Sequence, residues 1–306
     1  MIEFKYKAYI PSIDDYVSLK ELKTEDYIAV VKTVMNKQQD LIVNLFDNLI
    51  ASHVDQSYNL TRLDKFFILC TIRAVCVGGR LTLAFEDAES KKPYKSHVQV
   101  LSLLQNIADV ETPCTHDIQL NNINVTLGYP TTLYVETPED LLYECIHSVT
   151  VAEHTVTMKE LSIEQKKELV DQLPVELLEH VKSYILSKNN EYSNVALYKV
   201  MNPHATDKKI QTQHFNIFDN SMYDFIVTLF SDNIKSIYEL MYVLSKRVKM
   251  SVGDLYKNTY AEVRMYLDTY EQELKMEEEA RKKEQQKRSG QGGPAPIGNP
   301  IMGLPE

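Results

Sequence analysis

Phe4, Tyr6, Ala8 and Ile10 alternate with Lys5, Lys7 and Tyr9, the period-two pattern of a half-buried strand. Pro11 ends that pattern, and residues 17–19 can return beside it across a turn at 12–16. Thr24 is read as a helix cap, with Glu25 and Asp26 favourably placed in the first turn. Two helices are expected over about 25–36 and 38–53. Thr61 with Asp64 three places on resembles a capping box. The helix it opens is apolar on most faces, which marks a core element, and Gly78-Gly79 is expected to close it in the left-handed conformation.

From Arg80 the period changes to two. Leu81, Leu83 and Phe85 alternate with polar neighbours, 87–93 is a polar loop, and 94–100 returns as the second arm of a hairpin. A helical piece over 102–108 precedes another hairpin, 117–120 with 124–127, turned at Asn121-Asn122. Thr137-Pro138-Glu139-Asp140 is a helix start, and that helix is expected to reach about Ser148. A short hairpin over 150–158, helices over 165–173 and 175–187, and a hairpin of 195–200 with 209–217 follow.

The last third reads as three helices, 218–230, 232–249 and 252–288, joined by short breaks that make them antiparallel neighbours. Tyr256, Tyr260, Val263, Leu267, Tyr270 and Leu274 keep a three-four rhythm. The stripe is either a coiled-coil seam through which two copies or a partner associate or the core face of a bundle helix. Its aromatics fit poorly into tight two-stranded packing. Residues 271–288 hold six acids and six bases with no apolar stripe, so i,i+4 ion pairs must support them. The Gly/Pro-rich tail 289–306 is expected to be disordered alone, yet it ends in an apolar cluster that includes Ile301, Met302 and Leu304. A spacer followed by such a cluster is a candidate docking peptide. The expected fold is α+β, in five segments: strand and helices (1–79), a β-rich hairpin unit (80–137), helices plus a hairpin (138–217), a helical bundle with a charged helix (218–288) and the tail (289–306).

Composition narrows the function. A formal charge of −10 argues against a sequence-independent nucleic-acid binder. The longest apolar-rich stretch, 66–77, is interrupted by Thr71 and Arg73 and falls short of the roughly 20 residues of a membrane helix. The N-terminus lacks the apolar core of a secretory signal, so a soluble, intracellular protein with no membrane partner is expected. Four cysteines at 70, 76, 114 and 145 are expected to be reduced structural thiols. Nineteen tyrosines and no tryptophan suit protein interfaces, or follow a compositional habit of the source genome.

The chemistry of catalysis is missing. No C-x-x-C, phosphate-binding glycine loop, nucleophile elbow or H-E-x-x-H is present. Cys145, His147 and His154 are the best metal cluster on offer and lack a fourth ligand. The reading is therefore no enzyme, no cofactor and no metal. Tyr256, Tyr260, Val263, Leu267, Tyr270, Ile301, Met302 and Leu304 are the candidate partner-binding residues.

One run of residues points further. Ile72-Arg73-Ala74 with Val77-Gly78, the strands 80–83 and 97–100, and the step Tyr129-Pro130 resemble the baseplate hub assembly proteins of T-even-like contractile phages. Ile234 to Tyr238 and Glu262 to Leu267 resemble that family's C-terminal helices. Many members carry paired cysteines in the hairpin after the Val-Gly step; here 87–93 has none, and no metal knuckle is carried over. The resemblance implies assembly of the phage tail baseplate by binding hub or tape-measure proteins. Such a protein acts in the host cytoplasm and stays in the virion only if it is a stoichiometric subunit rather than an assembly factor. A tail-associated hydrolase and a helical adaptor outside phages are the competing classes.

Overall fold

The computed structural model describes residues 6–55, 58–87, 89–108, 115–193, 196–204, 210–214 and 216–290. Helices and strands are interspersed along it, with a helical C-terminal third, so the fold is α+β as expected.

The opening alternation forms β1 (Tyr6–Ile10), paired antiparallel with β2 (Asp15–Leu19) from Tyr6↔Leu19 to Ile10↔Asp15. Ala8, Ile10, Val17 and Leu19 face inward and are buried. Helix α1 (Thr24–Met35) corrects one expectation, since Lys23 occupies the cap position and Thr24 lies inside the helix. The Thr24 hydroxyl and amide both donate to the Asn258 carbonyl at 3.0 Å, and the Tyr260 amide donates to the Leu22 carbonyl at 3.2 Å. A tertiary clasp has displaced the local cap.

Helix α2 (Gln39–His53) carries its own pH sensitivity at its last residue. His53 is buried, and its Nδ1 lies 2.8 Å from the Leu49 carbonyl and 2.9 Å from Ser52 Oγ. Burial pushes its pKa below the ordinary 6.5. The folded state thus binds this proton less readily than the unfolded chain. The stabilisation is complete above the unfolded value and is lost as pH falls from there through the folded one. The melting temperature should drop between about pH 7.5 and about pH 5, and His53→Asn, which keeps a donor but does not titrate, should flatten part of that drop.

Helix α3 (Arg62–Ile72) begins with the expected capping box, Thr61 accepting from the Asp64 amide while Asp64 accepts from the Thr61 amide. Asp64 is fully buried and also accepts from the Ser12 amide at 2.9 Å. The helix then widens into a π-helical turn, Arg73–Val77. Gly78 has φ 145° and ψ 137°, a positive-φ extended conformation rather than the expected left-handed helical cap. Its carbonyl accepts from Arg73 Nη1 at 3.0 Å, a contact that turns the chain straight into the next strand.

The hairpin β3 (Arg80–Glu86) and β4 (Pro93–Gln99) forms its own two-stranded sheet. Asp87 orders its loop, accepting from the Ser90 amide and from Asn202 at 2.6 Å each. These hydrogen bonds lower its pKa to about 2. After α4 (Val100–Ala108), β5 (His116–Leu120), β6 (Ile123–Leu127), β7 (Ile146–Val151) and β8 (His154–Thr157) make a four-stranded antiparallel sheet in chain order. Helix α5 (Pro138–Cys145) stops three residues short of Ser148, because Ile146 and Ser148 pair with β6 on either side of a register shift. The sheet therefore runs across residue 137.

Helices α6 (Ile163–Asp171) and α7 (Val175–Ser193) cover that sheet. Ile118, Val125, Leu127, Val149, Val170, Leu177 and Val181 are buried in this smaller core. The larger core gathers β1, β2, α1–α4 and, after the pair β9 (Ala196–Met201) and β10 (Ile210–His214), helices α8 (Ser221–Leu229), α9 (Ile234–Arg247), α10 (Val252–Lys257) and α11 (Tyr260–Gly290). The single helix expected from residue 252 is two. Thr259 and Glu262 exchange hydrogen bonds at 3.1 and 3.2 Å as a capping box, which restarts the helix at Tyr260. Among the described residues no helix is long and apolar enough to cross a membrane.

Candidate functional site

The candidate partner-binding stripe starts inside the protein. Tyr260 and Val263 are buried in the larger core, at 5% and 0% exposure. The Tyr260 ring packs on Tyr27 with centroids 4.4 Å apart. The Tyr27 hydroxyl donates to Asp232, which also accepts from Arg73 Nη2 at 3.2 Å. Arg73 Nε donates to the Leu229 carbonyl at 2.7 Å. Burial and the Asp232 carboxylate push the Tyr27 phenol far above its ordinary range, so it stays a donor. The first turns of α11 are thus fixed to α1, α3 and the link between α8 and α9.

The rest of the stripe emerges step by step. Tyr256 stands on α10, beyond the break, and packs half-buried against the core, as do Tyr266 and Leu267. Tyr270 is half-buried, and residues 271–285 are exposed without exception. Leu274 is 40% and Met276 63% exposed. Arg281 reaches Glu277 at 4.0 Å, a surface contact worth little by itself. At 31 residues, α11 is about 46 Å long, and its residues 271–285 bury nothing. Ile301, Met302 and Leu304 lie outside the described residues. Beside the root runs an open groove of about 780 Å³ lined by Arg80, Leu81, Asp232, Glu239, Arg264 and Leu267. It mixes both charges with apolar side chains.

The candidate metal residues serve other purposes. Cys145 is buried, which pushes its thiol up to about 12 despite the nearby Arg62 guanidinium. The Cys76 thiol is likewise pushed up to about 11, and Cys70, Cys76 and Cys145 are all free. The His147 ring lies against Gly128, with Nε2 3.3 Å from the Tyr129 carbonyl, while His154 is exposed on β8. Among the described residues no group of three His, Cys, Asp or Glu side chains is placed to hold a metal ion.

The contact at Gly128 is a packing constraint: a Cβ there would stand 2.1 Å from His147 Cε1. Gly128→Ala should cost about 1–3 kcal/mol, and adding His147→Ala should recover part of the loss. Urea denaturation of the two single variants and the double variant checks it, since additive losses would mean that the ring and the glycine do not oppose each other.

Two buried arginines escaped the sequence reading as structural centres. In the sequence Arg73 is an interruption in an apolar run and part of the Ile72-Arg73-Ala74 step, and Arg62 has no distinguishing feature of its own. The signal available for either was a cation beside a nearly continuous apolar stretch, which signals a buried donor only when the acceptors are known.

A family model described as T4 bacteriophage base plate protein matches residues 1–204. No curated protein matches the chain. No solved structure matches it. The matched residues take in β1 through β9 with Arg62, Arg73 and the four-stranded sheet, while α8 to α11 lie beyond it. With two thirds of its length under that model, the chain belongs to the T4 bacteriophage base plate protein family and is a phage baseplate protein.

Proposed function

We propose that this protein helps to build the central hub of the baseplate by binding a hub or tape-measure protein, without catalysing a reaction. The observation that carries this reading is α11. A helix whose root is fixed in the core, and whose residues 271–285 are all exposed, has no reason for its length among the described residues. Tyr270, Leu274 and Met276 are the side chains on the emerging part that a partner helix could bury. Leu267 and Tyr256 form the rim of that surface, while Tyr260 and Val263 act through it by holding the root in place. Ile301, Met302 and Leu304, in the tail that follows in sequence, are a second contact as a docking peptide. Membership in a baseplate family supplies partners of the right kind, and in the groove beside the root the Asp232 carboxylate is already engaged by Tyr27 and Arg73.

Quantitative mass spectrometry of purified virions tests the reading and separates its two forms. Peptides at the level of the hub proteins identify a structural subunit of the tail. Their absence from virions, with the chain present on assembly intermediates from infected cells, identifies an assembly factor. A chain found on neither would sink the hub reading.

A further inference from the structure

We propose that the outer edge of β8, which no described strand pairs, is a second docking site that takes an extended, basic segment of another baseplate protein as a fifth strand of the four-stranded sheet. The sheet order β5-β6-β7-β8 leaves β8 outermost. At the opposite end β5 is packed by α7, with His116 stacked on Tyr184 at 4.7 Å. On β8, by contrast, all four residues are exposed.

Pairing fixes which backbone groups are available. Val151 faces His154 across the two-residue turn Ala152-Glu153, with Ala152 at φ 54°. In such a hairpin the closing pair exchanges both hydrogen bonds and alternate pairs exchange none. Val151/His154 and Val149/Val156 therefore bond inward, and Thr155 and Thr157 direct their amides away from β7. An incoming strand would accept from those two amides and donate to the Thr155 carbonyl.

The side chains say what kind of strand fits. Val149 is buried, but its neighbour Val156 is 39% exposed and Val151 is 42% exposed. The apolar face of the sheet therefore runs to its edge uncovered. Soluble proteins usually guard such an edge with lysine, proline or a bulge, and His154-Thr155-Val156-Thr157 holds neither residue and pairs in continuous register. A partner strand with alternating β-branched residues would extend the covered face over Val156.

Charge selects the occupant. Exposed Glu153 precedes the strand, and exposed Glu160 and Glu164 follow it. Lys159, within that stretch, donates to Asn59 at 3.2 Å, and Lys167 is close enough to Glu164 to act on it, so Glu153 and Glu160 are the acids offered to a partner. A second copy pairing β8 with β8 would bring the glutamates of both copies together, whereas a segment carrying lysine or arginine is attracted. The chain's own tail is a poor occupant, because residues 291–306 contain four prolines and no basic residue.

The test compares amide hydrogen exchange in the purified free chain with that of the full-length chain recovered in complexes from infected cells. Exchange at Thr155 and Thr157 should slow by at least about tenfold in the complexes, with Ala152 and Glu153 unchanged. Carbodiimide coupling in the same complexes should join Glu153 or Glu160 to a lysine of a different baseplate protein. Thr155→Pro adds an independent arm. It removes an outward amide and no ladder hydrogen bond, so the folded variant should enter complexes at about one tenth of the wild-type level or less. Recovered chain whose two amides exchange as in the free protein would overturn the proposal. So would coupling confined to a second copy, or full incorporation of a folded Thr155→Pro chain. The hub reading does not depend on the result, since virion composition decides that separately.

Discussion

Replacing Arg62 with methionine is expected to destabilise the protein by about 3–5 kcal/mol, the largest single-residue effect anticipated for this chain. Arg62 is fully buried. Its Nε donates to the Thr132 carbonyl at 2.5 Å, and its Nη1 donates to the carbonyls of Ile217 and Asp219 at 3.1 and 2.9 Å. The Arg62 amide adds a bond to the Pro130 carbonyl at 2.7 Å. The two segments so joined are loops, and neither belongs to a sheet ladder there. A forked side chain replaces the strand pairing they lack. Methionine fills similar volume but leaves three acceptors without donors, each costing about 1–3 kcal/mol when buried. Lysine should rescue poorly, because one ammonium cannot reach both segments in the fork geometry. Burial already draws the guanidinium down to about 10, so the site tolerates the charge for the sake of its hydrogen bonds. Urea denaturation of Arg62→Met beside Arg80→Met, an exposed control expected to change stability by less than about 0.5 kcal/mol, gives the comparison. A loss at residue 62 no larger than the control's would show that the loops hold together without the fork.

Much of the fold could be read from local pattern. The alternation of Leu81, Leu83 and Phe85 gives β3, Asn121 takes the positive φ its turn needs, Thr61 closes the expected capping box, and Thr137 caps the helix expected at Pro138. Two misreadings share one physical cause, a tertiary partner overriding a local preference. Ile146 and His147 continue the spacing of α5, yet pairing with β6 draws them into a strand. Thr24 has the chemistry of a cap and spends it on Asn258. Rhythm hid the break before Tyr260, although Thr259 and Glu262 stood in the sequence as a capping box. The three-four spacing from Tyr256 to Leu274 outweighed that box, and the stripe divides across two helices. For the candidate site, spacing could identify an apolar stripe but not its depth. Tyr260 and Val263 are buried only because Tyr27 and the Arg73–Asp232 pair meet them from other elements.

Ending the chain after Tyr270 is expected to leave the melting temperature nearly unchanged while association with a hub component falls by at least about tenfold. The first half follows from burial. Residues 271–285 are exposed throughout, so removing them uncovers no core. The helical ion pairs that go with them contribute only about 0.2–0.5 kcal/mol each. A cut into the root is different. Val263 is fully buried beneath α11, and Val263→Ala should cost about 2–3 kcal/mol through lost burial and the cavity left behind. The second half rests on the proposed role of the exposed helix. A 31-residue helix held at its first turns, with residues 271–285 exposed, is a lever whose outer surface a partner chain can cover. A shorter truncation, removing 289–306 alone, divides the effect. If association survives it and is lost on ending at Tyr270, the helix carries the contact through Leu274 and Met276. If the shorter cut already abolishes association, Ile301, Met302 and Leu304 carry it. Phage yield from cells supplying only the truncated gene, measured beside thermal unfolding of the same proteins, decides between fold and function. A wild-type yield from the chain ending at Tyr270 would remove α11 from the assembly surface and leave the edge of β8 as the face to pursue.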